Sequence, residues 1–312
     1  MITSNNHHDF DLPGLHAEVL SRNPALADID VSGELGAFIN GLDEQDPYRG
    51  YSYISQSLVD RLDQLVRRLG PKAAPEFLNL LLLELIAQFD SRFEKSGLHD
   101  DFRPEFARNF DRILADIRTP PEAPMIGLGS DMFLKDLGIA RLHLIPCVSH
   151  LVYRYSGVPR RALIGVKQPS AFLRVARTLA RAGGFRPFLE NHVHPRMLDR
   201  FDQAGRQQCY RLICRLLDLW PDARGLMGTS WYYDPNVGQI SPRLAYLHDE
   251  PAQAGACFVD MGVHPDATAS ALARSPTRAR LAQEGRYQPR NYMMLWTRAD
   301  ILARYGQGQR NK

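Results

Sequence analysis

From Phe77 to Phe89 the chain reads FLNLLLLELIAQF. A helix over this run, extended from Pro75 to about Phe93, is apolar on most sides and demands cover from neighbouring elements in several directions. Asn79, Glu84 and Gln88 interrupt it, and the run is too short and too polar to cross a bilayer, which needs ~20 apolar residues. The sequence around it supplies the cover. Ile54, Leu58, Leu62, Leu65 and Leu69 recur at three- and four-residue steps, which predicts a helix over 51–69 that ends at Gly70-Pro71. A further helix is expected over 104–117, and shorter ones over 15–20 and 35–42. The first dozen residues are expected to be mobile.

The pattern changes after residue 118. Residues 119–130 read TPPEAPMIGLGS, with three prolines and two glycines that break regular structure. Beyond them strands are expected within 140–155, with Pro146 marking an edge or bulge, and over 161–166, 225–233 and 291–296. A strand pair is expected between 243–248 and 256–261. Helices are expected over 170–182, 203–220, 266–273, 276–284 and 299–305. Strands and helices mix without a strict alternation. The expectation is an α+β fold: a helical N-terminal region over 1–118, a linker over 119–130, and an α+β catalytic domain over 131–312 whose mixed or antiparallel sheet is packed with helices.

Composition narrows the classes. The 312 residues carry 38 basic and 35 acidic side chains, a near balance that gives no argument for a nucleic-acid partner. Cys147, Cys209, Cys214 and Cys257 form no Cys-x-x-Cys pair and no disulfide framework, which points to a reducing compartment. The N-terminal stretch MITSNNHHDFDLPG has neither a basic nor an apolar signal region, so a cytoplasmic protein without a membrane partner is expected. Arginine strongly outnumbers lysine, as in chains from GC-rich bacteria.

The richest chemistry is Glu190-Asn191-His192-Val193-His194. On a strand, Glu190, His192 and His194 project from one face while Phe185, Leu189 and Val193 line the other. Two imidazoles and a carboxylate suit a divalent transition metal, iron or zinc. Glu190 and His194 stand four residues apart, about 13 Å at ~3.3 Å per residue, too far to share one ion comfortably. His192 and His194 are therefore the expected metal ligands and Glu190 a neighbouring base. A further ligand is sought among His143, His150, His248, Asp249, Asp260 and His264. The same residues also read as a polar strand face without a metal.

Two further segments offer chemistry. In 228–235, Ser230, Tyr232 and Asp234 share one strand face, and Ser230 and Asp234 are candidate catalytic groups. The second glycine of a Gly-x-Ser-x-Gly elbow is missing, and aromatic packing with an Asp-Pro turn accounts for the segment better than catalysis does. At 274–280, Ser275 as N-cap and Pro276 at the first helical position start a helix. Its free amides, with Arg274, Thr277 and Arg278, form the candidate binding site for a phosphorylated cofactor. Arg286 and Arg290 can add to it, and Lys167 is a weaker candidate. Cys147 near His143 and His150 reads as a buried thiol, or as a thiol–imidazole pair. No dinucleotide fingerprint, phosphate loop or His-Glu-x-x-His is present.

Three functional readings follow. The first is a metal-dependent enzyme, an oxidoreductase or hydrolase acting on a small molecule, with His192 and His194 as ligands. The second is a metal-independent acyl or other group transferase, with its phosphorylated cofactor at Ser275 and Glu190 or a histidine as general base. The third is a non-catalytic module whose helical lobe docks a protein partner.

Overall fold

In the computed structural model the described residues are 10–27, 29–44, 46–120, 126–160, 162 and 169–306. The expected strand over 161–166 (Ala162 apart), Lys167, most of the N-terminal dozen and 121–125 of the linker lie outside them. The chain falls into two compact units, Met1–Pro146 and Cys147–Lys312. The segment 119–130 thus lies inside the first unit.

The first unit is helical: α1 (Leu12–Arg22), α2 (Val31–Asp43), α3 (Gln56–Leu69), α4 (Ala73–Ala87), α5 (Phe89–Ser96), α6 (Arg103–Arg118) and α7 (Asp131–Ala140). Helix α4 is buried almost all round, from Phe77 through the leucines to Ile86. Helices α1, α2, α3, α6 and α7 all pack on it. Each fully buried leucine there contributes roughly 1.5–3 kcal/mol. The single helix expected over 75–93 is two. Gln88 leaves helical geometry at φ −84° and ψ 0°, and α5 restarts at Phe89. The new direction lets Phe89 pack against Phe93, Phe106 and Phe110, with ring centres 5.0–5.2 Å away. Residues 51–55 precede α3 as a turn and extended stretch.

The sheet has six strands: β1 (Leu144–Cys147), β2 (His150–Ser156), β3 (Phe188–His192), β4 (Gly225–Ser230), β5 (Cys257–Gly262) and β6 (Asn291–Thr297). Their order is β1-β2-β3-β4-β6-β5. Only the β3/β4 pair among β2–β6 is parallel. The α+β expectation with a mixed sheet holds. Between and after these strands run α8 (Pro169–Ala182), α9 (Gln203–Leu219), α10 (Val237–Ile240), α11 (Tyr246–Gln253), α12 (Pro265–Ala273), α13 (Pro276–Gln283) and α14 (Arg298–Tyr305).

Helix α8 covers one face of the sheet: Val175 and Leu179 pack with Phe188, Met227, Met293 and Leu295. The amphipathic α9 covers the other, burying Cys209, Tyr210, Ile213, Leu216 and Leu217. Because both faces are covered, Phe188 and Leu189 are both fully buried, although they point oppositely. The strand expected over 243–248 is helical instead: Pro242–Leu244 forms a 3-10 turn and α11 follows. Strand β5 pairs with β6, running antiparallel from Cys257↔Leu295 to Gly262↔Asn291. No helix of the described residues is long and apolar enough to cross a membrane.

Candidate active site at the parted ends of two parallel strands

Strands β3 and β4 pair at only two positions, Leu189↔Leu226 and Glu190↔Met227. Beyond them the parallel ladder stops, while β4 stays paired with β6 as far as Ser230↔Tyr292. Strands β1 and β2 lie on the β3 side and β5 and β6 on the β4 side. Sites in α/β proteins gather at the carboxyl ends of parallel strands.

Glu190 and His192 face the α8 side at this point. Glu190 Oε2 lies 3.6 Å from His192 Nε2 and accepts a hydrogen bond of 2.7 Å from Ser156 Oγ. Both side chains are partly exposed, 25% for Glu190 and 19% for His192, although His192 Nε2 itself is buried. Sequence alternation foresaw this pair. It did not foresee His194, which lies past the end of β3. The backbone leaves the strand, and His194 is buried with its Nδ1 accepting from the Arg196 amide at 3.2 Å. The period of two therefore cannot carry His194 onto the face of His192.

On the opposite face stands a group the sequence reading passed over. Arg206, in the first turns of α9, has no exposed surface. Its Nε donates to the Tyr210 hydroxyl at 2.7 Å and its Nη2 to the Tyr233 hydroxyl at 2.8 Å. Its Nη1 lies 2.7 Å from His150 Nδ1 and also contacts Nε2. The Asn191 amide completes the set when oriented by its hydrogen bonds. Its oxygen accepts from Arg206 Nη1 and Nη2 at 3.2 Å and from Tyr233 at 2.9 Å, and its nitrogen donates to the Met227 carbonyl at 2.9 Å. Asn191 thus ties β3 to β4 where the backbone ladder ends. Burial holds the Tyr210 and Tyr232 hydroxyls well above their usual pKa, so they are neutral at pH 7. Burial and the adjacent guanidinium hold His150 well below its usual value. The charge of Arg206 is therefore solvated by neutral groups. The legible signal was an arginine on the apolar stripe of α9, three and four residues before Cys209 and Tyr210.

The other expected site residues separate. Strand β4 ends at Ser230, and Trp231–Tyr233 forms a 3-10 turn, so Ser230, Tyr232 and Asp234 do not share a face. Asp234 is buried, and its Oδ1 accepts from the Asn236 amide at 2.9 Å and side chain at 3.0 Å. Burial raises its pKa. Ser275 caps α13 by accepting from the Arg278 amide at 3.3 Å. Arg278, expected at an open helix start, turns inward and is buried, while Arg274 donates to the Pro195 carbonyl at 3.1 Å. Thr277 is exposed. Arg286 pairs with Glu284 at 3.0 Å and Arg290 with Asp260 at 2.7 Å. His248 lies 2.9 Å from Asp249 and His264 3.9 Å from Asp266. All four cysteines are buried, and none forms a disulfide with another described residue. Among the described residues, no group of three His, Cys, Asp or Glu side chains is placed to hold a metal ion.

Comparison with known proteins finds no matching family model, no similar curated sequence and no similar solved structure.

Proposed function

We propose that the second unit catalyses acyl or related group transfer to a small-molecule acceptor, with Glu190 as general base assisted by His192. The observation that carries this reading is the Glu190–His192–Ser156 cluster at the carboxyl end of β3, beside the point where pairing with β4 stops. A general base needs a positioned, reachable carboxylate or imidazole. Ser156 fixes one oxygen of Glu190 and leaves the other to accept a proton. In the step proposed, the acceptor amine or hydroxyl attacks a thioester carbonyl, Glu190 takes its proton, and the C–S bond breaks to release the thiol.

Release of free thiol from short-chain coenzyme A thioesters, followed with a panel of amines and alcohols, tests the reading. Acceptor-dependent thiol release by the native protein, abolished in Glu190→Gln with the fold retained, is the expected result. Thiol release unchanged in Glu190→Gln would sink it.

Metal-dependent chemistry is the alternative, with iron or zinc on His192 and Glu190 in place of the expected His192 and His194. The 3.6 Å approach of Glu190 to His192 is what favours it, since a carboxylate and an imidazole can share an ion. Elemental analysis of untagged protein separates the two. Near-stoichiometric iron or zinc, lost in His192→Ala, would replace the group-transfer reading.

A further inference from the structure

Strand β4 lies inside the sheet, between β3 and β6. Its residues are buried from Gly225 through Gly228, and then Thr229 is exposed. The cross-strand neighbour of Thr229 on β6 is Met293, which has no exposed surface and packs in the core under α8. The cover that α8 gives this face therefore ends between β6 and β4 at the level of Thr229. An interior strand meets solvent there, which is how the floor of a cleft differs from a packed sheet face.

Register sets Thr229 beside the Glu190–His192 pair. Glu190 is aligned with Met227 across the parallel ladder. His192 and Thr229 each stand two residues further along, so they project from the same face as Glu190. Backbone pairing has ended by then, but the strands still run side by side. One residue earlier, the Cβ position of Gly228 stands 3.3 Å from the Asn191 carbonyl oxygen. Thr229 thus faces the site from β4, while Glu190 and Ser156 face it from β3 and β2.

The hydroxyls on the two sides differ in their engagement. Ser156 gives its proton to Glu190 at 2.7 Å. The Thr229 hydroxyl has no hydrogen-bond partner among the described residues, so its proton is uncommitted. A carboxylate can only accept, yet the group-transfer step also needs a donor. Attack on the thioester carbonyl carbon moves an electron pair onto the carbonyl oxygen. That oxygen stays negative until it re-forms its double bond and the C–S bond breaks. The geometry points to Thr229 as a further catalytic residue, whose hydroxyl donates to this oxygen while Glu190 takes the proton of the acceptor. The proton on Glu190 then passes to the departing thiolate, so both side chains end the cycle unchanged. The assignment rests on the group-transfer reading.

Steady-state thiol release from acetyl-coenzyme A, with the most active amine or alcohol as acceptor, is the test. Thr229→Val removes the hydroxyl and keeps the branched shape that suits a strand. It is expected to lower kcat about 100-fold with the KM for the thioester changed less than about twofold, as for a contact made in the transition state. Thr229→Ser keeps the donor and is expected to restore most of that loss. Both variants are expected to keep the native denaturant midpoint, since the position is exposed. A Thr229→Val kcat within about threefold of native, in a protein whose Glu190→Gln variant is inactive, overturns the role of Thr229 and leaves that of Glu190 standing. An equal loss in Thr229→Ser, or a change confined to KM, overturns it as well. Native protein that releases no acceptor-dependent thiol overturns the group-transfer reading itself, and this assignment with it.

Discussion

Gly228 and Asn191 face each other across the parted strands so closely that a Cβ on Gly228 would fall 1.7 Å from the Asn191 amide and 2.8 Å from its Cγ. The absence of a side chain at 228 is what admits the amide to the gap, where it bonds the Met227 carbonyl and the Arg206 guanidinium. Gly228→Ala is therefore expected to displace Asn191 and cost about 1–3 kcal/mol, the usual penalty for overpacking a tight interior. Denaturant unfolding of the variant measures it. A loss under ~0.5 kcal/mol would mean that the gap is open.

Arg206 makes its bonds as a flat, forked donor to Tyr210, Tyr233, His150 and Asn191. An ammonium cannot reach all four, yet it keeps the buried charge. Arg206→Lys is therefore expected to destabilise by about 3 kcal/mol or more. Arg206→Met, which removes the charge, is expected to cost less than Arg206→Lys. The reverse order in denaturant midpoints would show that the charge itself contributes net stability.

Burial, with Arg141 and Arg92 adding to it, lowers the His143 pKa to about 3. Unfolding releases that constraint, so the unfolded chain takes up a proton near pH 6.5 that the folded first unit refuses. Stability is full above that value and falls as pH drops from about 6.5 toward 3, by up to about 1.4 kcal/mol per pH unit for this group. His143→Gln is expected to flatten the decline measured between pH 6.5 and 5. An unchanged slope would place the protonation elsewhere.

Ser156 donates to Glu190 and also lies 3.7 Å from Met227 Sδ. Removing the hydroxyl frees the carboxylate to rotate. On the group-transfer reading, Ser156→Ala is expected to lower kcat about tenfold with little change in KM for the thioester donor. A change confined to KM would make Ser156 part of donor binding.

Local pattern determined most of the element types. The leucine steps of α3, the all-round apolar α4, the caps at Gly70 and Ser275 and the alternation in β3 are consequences of side-chain spacing within a single element, so the sequence carries them. The expected strand over 243–248 failed because its apolar residues also suit a short helix, and nothing local distinguishes the two. The Glu190–His192 pair was legible because both residues stand on one strand. His194 was misplaced because a strand's end is set by its partners, and the pairing of β3 with β2 ends at Leu151↔His192. Arg206 and Arg278 are buried because elements distant in sequence supply their acceptors: Tyr233 and His150 for one, Ser241 and Ala271 for the other. Which charges enter the interior depends on where their hydrogen-bond partners stand in space, and only the tertiary structure decides that.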